Sequence, residues 1–139
     1  MTPADRELAE AWFRKAEEDL LSATALLALP SPPCAIICFH CQQTAEKYLK
    51  GFLALHGRPF EETDDLVALV GLAALLDATI ASLDAPAQVL ADYVVIMRYP
   101  QPEPDPTPQE AQTARWNALL VRRTVRGCLG LPSYEPLPL

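Results

Sequence analysis

Apolar residues recur along this chain with a helical period in several long stretches, and clusters of proline, glycine and acidic residues separate them. The clearest stretch runs from Ser31 to Gly57. Cys34, Cys38, Cys41, Ala45, Tyr48, Phe52 and Leu55 follow one another at steps of four and three, which draws one continuous stripe on a helix. Ser31 is the expected N-cap, with Pro32 and Pro33 in the first turn and Gly57 as the C-terminal stop. A helix of about 25 residues spans about 38 Å, so this element is expected to be the central rod of the fold. His40, Gln43, Glu46, Lys47 and Lys50 fall largely off its stripe, where a solvated face is the default reading.

The flanking segments carry the same signature. Leu8, Trp12, Ala16, Leu20, Ala23 and Leu27 predict a first helix over Pro3 to Leu29. The short Pro30–Pro33 connection makes it an antiparallel partner of the second. After a polar link, Thr63 is the expected cap of a third helix, with Asp64 and Asp65 in its first turn. Leu66 to Leu76 is apolar almost all round, which predicts burial on more than one side. The segment from Asp77 to Leu83 fits either a continuation or a separate turn. A fourth helix starts at Asp84-Ala85-Pro86 and carries Val89, Leu90, Tyr93, Val94, Ile96 and Met97. Thr107-Pro108-Gln109-Glu110 reads as a capping box opening a fifth helix, whose stripe is Ala111, Ala114, Ala118, Val121, Val125 and Cys128. No strand pattern competes. The expectation is an all-α, up-and-down bundle of four to five helices, one domain over residues 1–130 with a proline-rich tail at 131–139.

Composition narrows the function. The net charge of −7 argues against RNA or an anionic membrane as a partner. No basic start leads into an apolar run, and the longest apolar run is too short to span a bilayer, so a cytoplasmic setting is expected. Cys34, Cys38 and Cys41 lie on the core stripe and read as small buried residues. One helix cannot close a tetrahedral metal site with them, and no metal or cofactor is expected. The chain has no phosphate-binding glycine loop, dinucleotide fingerprint or nucleophile elbow. Arg98, just before Tyr99-Pro100, is placed either to cap a helix end or to grip a phosphate. Arg115, Arg122, Arg123 and Arg126 on the fifth helix read as a solvated face by default, with a phosphate-contacting patch as the alternative.

Gln42 to Leu53 (QQTAEKYLKGFL), Thr63 to Leu66 (TDDL) and Arg98 to Pro100 (RYP), in that order, resemble the HEPN (higher eukaryotes and prokaryotes nucleotide-binding) domain family along roughly residues 8–129. The resemblance implies a homodimeric helical bundle of prokaryotic, cytoplasmic setting. It also implies a minimal nucleotidyltransferase as partner in a toxin–antitoxin-type module, and a nucleotide as ligand. Two departures bear on function. Asp64 stands where the family commonly has histidine, and the Arg-x4–6-His motif of its ribonuclease members is absent, because no histidine follows His56. Tyr99 therefore has no motif from which to inherit a role as a modification target. The expected function is a non-catalytic HEPN-type binding module. Its candidate ligand residues are Lys47 and Lys50 for phosphate, Arg98 as a bidentate fork and Tyr99 stacking on a base. A metal-independent endoribonuclease using Arg98 with Glu46 or Asp65 as base, and a purely structural dimer, are the alternatives.

Overall fold

The computed structural model describes residues 1–94, 100 and 104–132. Among these residues the chain is all helical: α1 (Pro3–Leu27), α2 (Cys34–Leu55), α3 (Leu66–Ala74), a 3₁₀ helix (Ala78–Leu83), α4 (Asp84–Leu90) and α5 (Pro108–Cys128). No helix among the described residues is long and apolar enough to cross a membrane.

The middle helix is the rod that its sequence predicts. α2 packs against α1 and α5 along much of its length, and against α3 and α4 as well. Its stripe from Cys34 to Phe52 is buried throughout, and Leu55 is half-buried. α1 runs antiparallel to α2, so that Asp19 meets His40 and Phe13 meets Tyr48. α5 pairs Arg115 with Thr24 and Arg122 with Glu17, which makes it antiparallel to α1 in turn. Ala111, Ala114, Ala118, Val121 and Val125 form its buried face, as their spacing predicts.

The helix ends follow cap chemistry, with two shifts from expectation. Thr2 and Asp5 form a reciprocal capping box at the start of α1. Ser31 does not cap α2. The helix begins beyond both prolines, at Cys34, with Pro33 in the cap position and no side-chain cap bond. Thr63 does not cap α3 either. Asp65 does, accepting from the Ala68 N–H at 3.1 Å, while Thr63 Oγ1 accepts from the Asp65 N–H. At the end of α2 the expected stop holds. Gly57 takes φ +61°, and the Gly57 and Arg58 N–H groups close back on Ala54 and Leu53 carbonyls.

The inward stripe of α1 departs from the sequence reading only in its N-terminal half. Leu8 is 54% exposed, and Ala9 and Phe13 face inward there, while Ala16, Leu20 and Ala23 are buried as their spacing predicts. The reason is close packing of two helices. The Phe13 ring stacks on Tyr48 with centroids 5.1 Å apart, and small residues on either side let the backbones approach. Gly51 completes the fit. A Cβ added there would lie 2.5 Å from Phe13 Cε1 and 3.0 Å from Trp12 Cβ. By contrast, a Cβ on the exposed Gly71 of α3 would meet nothing within 4 Å.

Gly51→Ala is therefore expected to destabilise the fold by about 1–3 kcal/mol through overpacking. Gly71→Ala is expected to stabilise it by about 0.5–1 kcal/mol, because alanine costs less conformational entropy in a helix. Urea denaturation of both variants against the wild type checks the opposite signs.

Candidate functional site

The residues singled out in the sequence converge on the flank of α2 that meets α1, and most of them are not solvated. Glu46 and Lys50 are buried, at 7% and 2% exposure, and Lys47 is partly buried. The apolar stripe points to α5 and the core, but α1 and the link to α3 also cover the flank carrying these polar groups.

Two charged groups lie along this flank. In the first, Asp19 of α1 is shared by two residues of α2: its Oδ1 lies 2.8 Å from His40 Nδ1, and its Oδ2 lies 2.5 Å from Lys47 Nζ. Thr44, between them, donates to the His40 carbonyl at 2.9 Å and reaches the Ala16 carbonyl at 3.4 Å. In the second, Lys50 Nζ lies 3.4 Å from Glu46 and 3.3 Å from Glu62. Its ammonium also sits 5.5 Å from the centroid of the Trp12 ring and 5.9 Å from that of Phe60. Gln42 ties this group to the link by donating to Glu46 and to the Asp64 carbonyl, both at 3.4 Å. A cleft of about 420 Å³ opens beside it, lined by Phe39, Gln43, Glu46, Lys50, Glu62, Thr63 and Asp64. Burial holds the Glu46 carboxyl above its ordinary range, against the opposing pull of Lys50.

A third group joins α1, α2 and α5. Glu17 receives the Tyr48 hydroxyl and, at 2.7 Å, Arg122 Nη2. Arg115 Nε donates to Thr24 Oγ1 at 2.9 Å, and Arg126 Nε donates to the Pro132 carbonyl at 2.6 Å. Arg115, Arg122 and Arg126 are buried and Arg123 is exposed, so the solvated reading of this arginine row holds for Arg123 alone. The row faces the α1–α5 seam, where carboxylate, hydroxyl and carbonyl acceptors compensate the burial of guanidinium groups.

Of the six candidate site residues, Lys47, Lys50, Arg98, Tyr99, Glu46 and Asp65, the structure brings Lys47, Lys50 and Glu46 onto one flank and gives each lysine a carboxylate. Asp65 is exposed and occupied in capping α3. Arg98 and Tyr99 lie outside the described residues. Asp19, Glu17, Trp12 and Glu62 were not read as site residues. Asp19 and Glu17 sit among the acidic residues of α1, and only the α1–α2 register marks them as buried partners. The cysteines are core residues: Cys34, Cys38 and Cys41 are buried, and burial pushes the Cys38 thiol up to about 12. Cys128 is half-buried. No metal-binding group of three or more histidine, cysteine or acidic residues occurs among the described residues.

With this geometry in view, the likeness to known proteins is specific. The HEPN domain model matches residues 9–128. The chain belongs to the HEPN domain family. Among solved structures, this HEPN chain is similar to TT1696 from Thermus thermophilus, at 29% identity and a TM-score of 0.73, over 86% of this chain and 96% of that one. It also shares the fold of ST0689, an archaeal HEPN homologue, at 24% identity and a TM-score of 0.69, over 87% and 97% of the two chains. No curated protein matches it.

Two outcomes follow for the Glu46–Lys50 pair. Lys50→Met leaves a buried carboxylate without its cation and is expected to cost about 3–5 kcal/mol in urea denaturation. The second concerns pH. Because the folded-state pKa of Glu46 lies above its unfolded value of 4.5, the folded state holds more proton just above pH 4.5. Stability contributed by this group therefore falls as pH rises through that window. Glu46→Gln removes the group, so the variant should lose less stability than the wild type between pH 4 and pH 7.

Proposed function

We propose that this HEPN domain is a non-catalytic binding module that acts as the partner of a nucleotidyltransferase-domain protein in a two-component, toxin–antitoxin-type pair. The observation that carries this reading is the internal engagement of its charged residues. Lys47 and Lys50 are held by Asp19, Glu46 and Glu62, and Arg122 is held by Glu17. Polar groups committed to the fold support a scaffold more readily than a reaction. The missing Arg-x4–6-His motif removes the family's acid–base pair as well.

What remains for contact is an acidic surface with exposed apolar side chains. Leu21 on α1 is 59% exposed and Trp116 on α5 is 54% exposed. Tryptophan in such a position is a favoured anchor for a protein partner or a second copy of the chain. The net charge of −7 favours a basic partner surface over a polyanion. In the nucleotide-binding form of this reading, phosphate lies among Lys47, Lys50 and Arg98, with Tyr99 on the base. That form requires Lys47 to exchange Asp19 for phosphate, and it meets three carboxyl groups in the adjoining cleft.

The deciding experiment titrates ATP, GTP and dinucleotides into the purified chain with its mass in solution recorded. The chain is then mixed with a purified nucleotidyltransferase-domain protein. The expected result is a dimer that binds nucleotide weakly or not at all and forms a stoichiometric complex with that protein. Saturable nucleotide binding lost in Arg98→Ala would establish the nucleotide-binding form. Neither complex nor nucleotide binding would overturn the proposal.

A further inference from the structure

Two cavities on the surface where α1 meets the end of α5 run into one groove. One, of about 310 Å³, lies over Leu55 and Leu129, and the other, of about 410 Å³, lies beside Arg14, Glu17 and Arg126. Glu10, Phe13 and Leu131 line both. The chain itself enters this groove. Gly130 takes φ +67°, and the Leu131 N–H closes back on the Arg126 carbonyl at 2.9 Å, which ends α5 and places Leu131 against α1. The buried Arg126 guanidinium then donates from Nε to the Pro132 carbonyl at 2.6 Å. An apolar trough with an aromatic ring and a fixed donor for a backbone carbonyl suits an extended, proline-rich segment.

The sequence past Pro132, residues 133–139, reads SYEPLPL. Leu131, Tyr134 and Leu137 recur at every third position, the period of a polyproline II helix, so in that conformation they share one edge. Pro132, Pro136 and Pro138 fix their own φ, and Leu131, Glu135 and Leu137 each precede a proline, which biases them to extended backbone as well. Such a segment has little conformational freedom to lose on docking. An extended run of that length spans about 22 Å, enough to follow a groove whose α1 wall from Arg6 to Glu17 rises about 16 Å. The charges agree. Arg6, Arg14 and Arg126 line the groove against Glu10 and Glu17, and Glu17 is taken by Arg122, so the groove is locally cationic in a chain of net charge −7. Glu135 is the one charged side chain in residues 133–139. We propose that this groove is a binding site for an extended, proline-rich segment and that its occupant is this chain's own residues 133–139. Tyr134 and Leu137 follow Leu131 along the trough, and Glu135 meets Arg14. The assignment is independent of the partner reading above, because it concerns contacts within one chain.

The test is solution NMR of the full chain, uniformly labelled. Expected are ring-proton contacts from Tyr134 to Phe13 and Leu131, and backbone order parameters of about 0.8 or more at Tyr134, Glu135 and Leu137, the level of the helices. Leu137→Asp puts a charge on the docked edge and is expected to drop those order parameters below about 0.6 while the helix signals stay in place. Wild-type values below about 0.6 at the three residues, ordered residues whose contacts lie on another surface, or unchanged order in Leu137→Asp would overturn the proposal. A mixture of labelled and unlabelled chains identifies the copy that supplies the segment. Contacts between labelled and unlabelled chains would put a second copy in the groove and overturn the assignment within one chain. The wild-type spectra decide even if Leu137→Asp does not fold.

Discussion

One carboxylate joins the two longest helices side by side. Asp19 of α1 accepts from His40 and Lys47, two turns apart on α2, and so fixes both the distance and the register of the helices. Ala9, Ala16 and Ala23 of α1 are buried as well, and close packing opposes any slide out of that register. Once Asp19 is set, Phe13 falls on Tyr48 and Gly51 receives the Phe13 ring, while Trp12 covers Lys50. Glu17, two residues before Asp19, then reaches Tyr48 and Arg122 and brings α5 into the same frame.

This arrangement changes the meaning of the family's polar signature in this chain. The run from Gln42 to Leu53 that marks it as a HEPN domain reads as an exposed, charged helix face. In the fold it is mostly an interior seam. Gln42 is fully buried, Glu46 and Lys50 nearly so, and each has partners on a neighbouring element or within α2. A buried, matched charge pair contributes little net stability, yet breaking it is costly, so such residues specify one packing over others. His40 stands apart, because only one of its ring nitrogens is used by the seam.

Much of the fold was legible in the residues. The α2 stripe, the α5 stripe and the Gly57 stop follow from periodicity and from the conformations open to glycine, both of which are local. The errors arose where a second element decides. The inward face of α1 depends on where Phe13 can stack, and the caps of α2 and α3 depend on how the chain enters each helix. The fate of Lys47, Lys50 and Arg122 depends on Asp19, Glu62 and Glu17, which lie 12 to 105 residues away from their partners. A lysine on a helix reads as solvated until the carboxylate facing it is known. The signal that was available is the excess of acids on α1, where Glu17, Glu18 and Asp19 stand together although only Glu18 is exposed.

The central claim is that Asp19 and Lys47 hold α1 on α2, and a double-mutant cycle measures it directly. Asp19→Asn, Lys47→Met and the double variant are compared with the wild type by urea denaturation. The account predicts a coupling energy of about 1 kcal/mol or more between the two positions. Additive effects, with a coupling indistinguishable from zero, would contradict it and return Lys47 to the solvated face that its sequence position first implied.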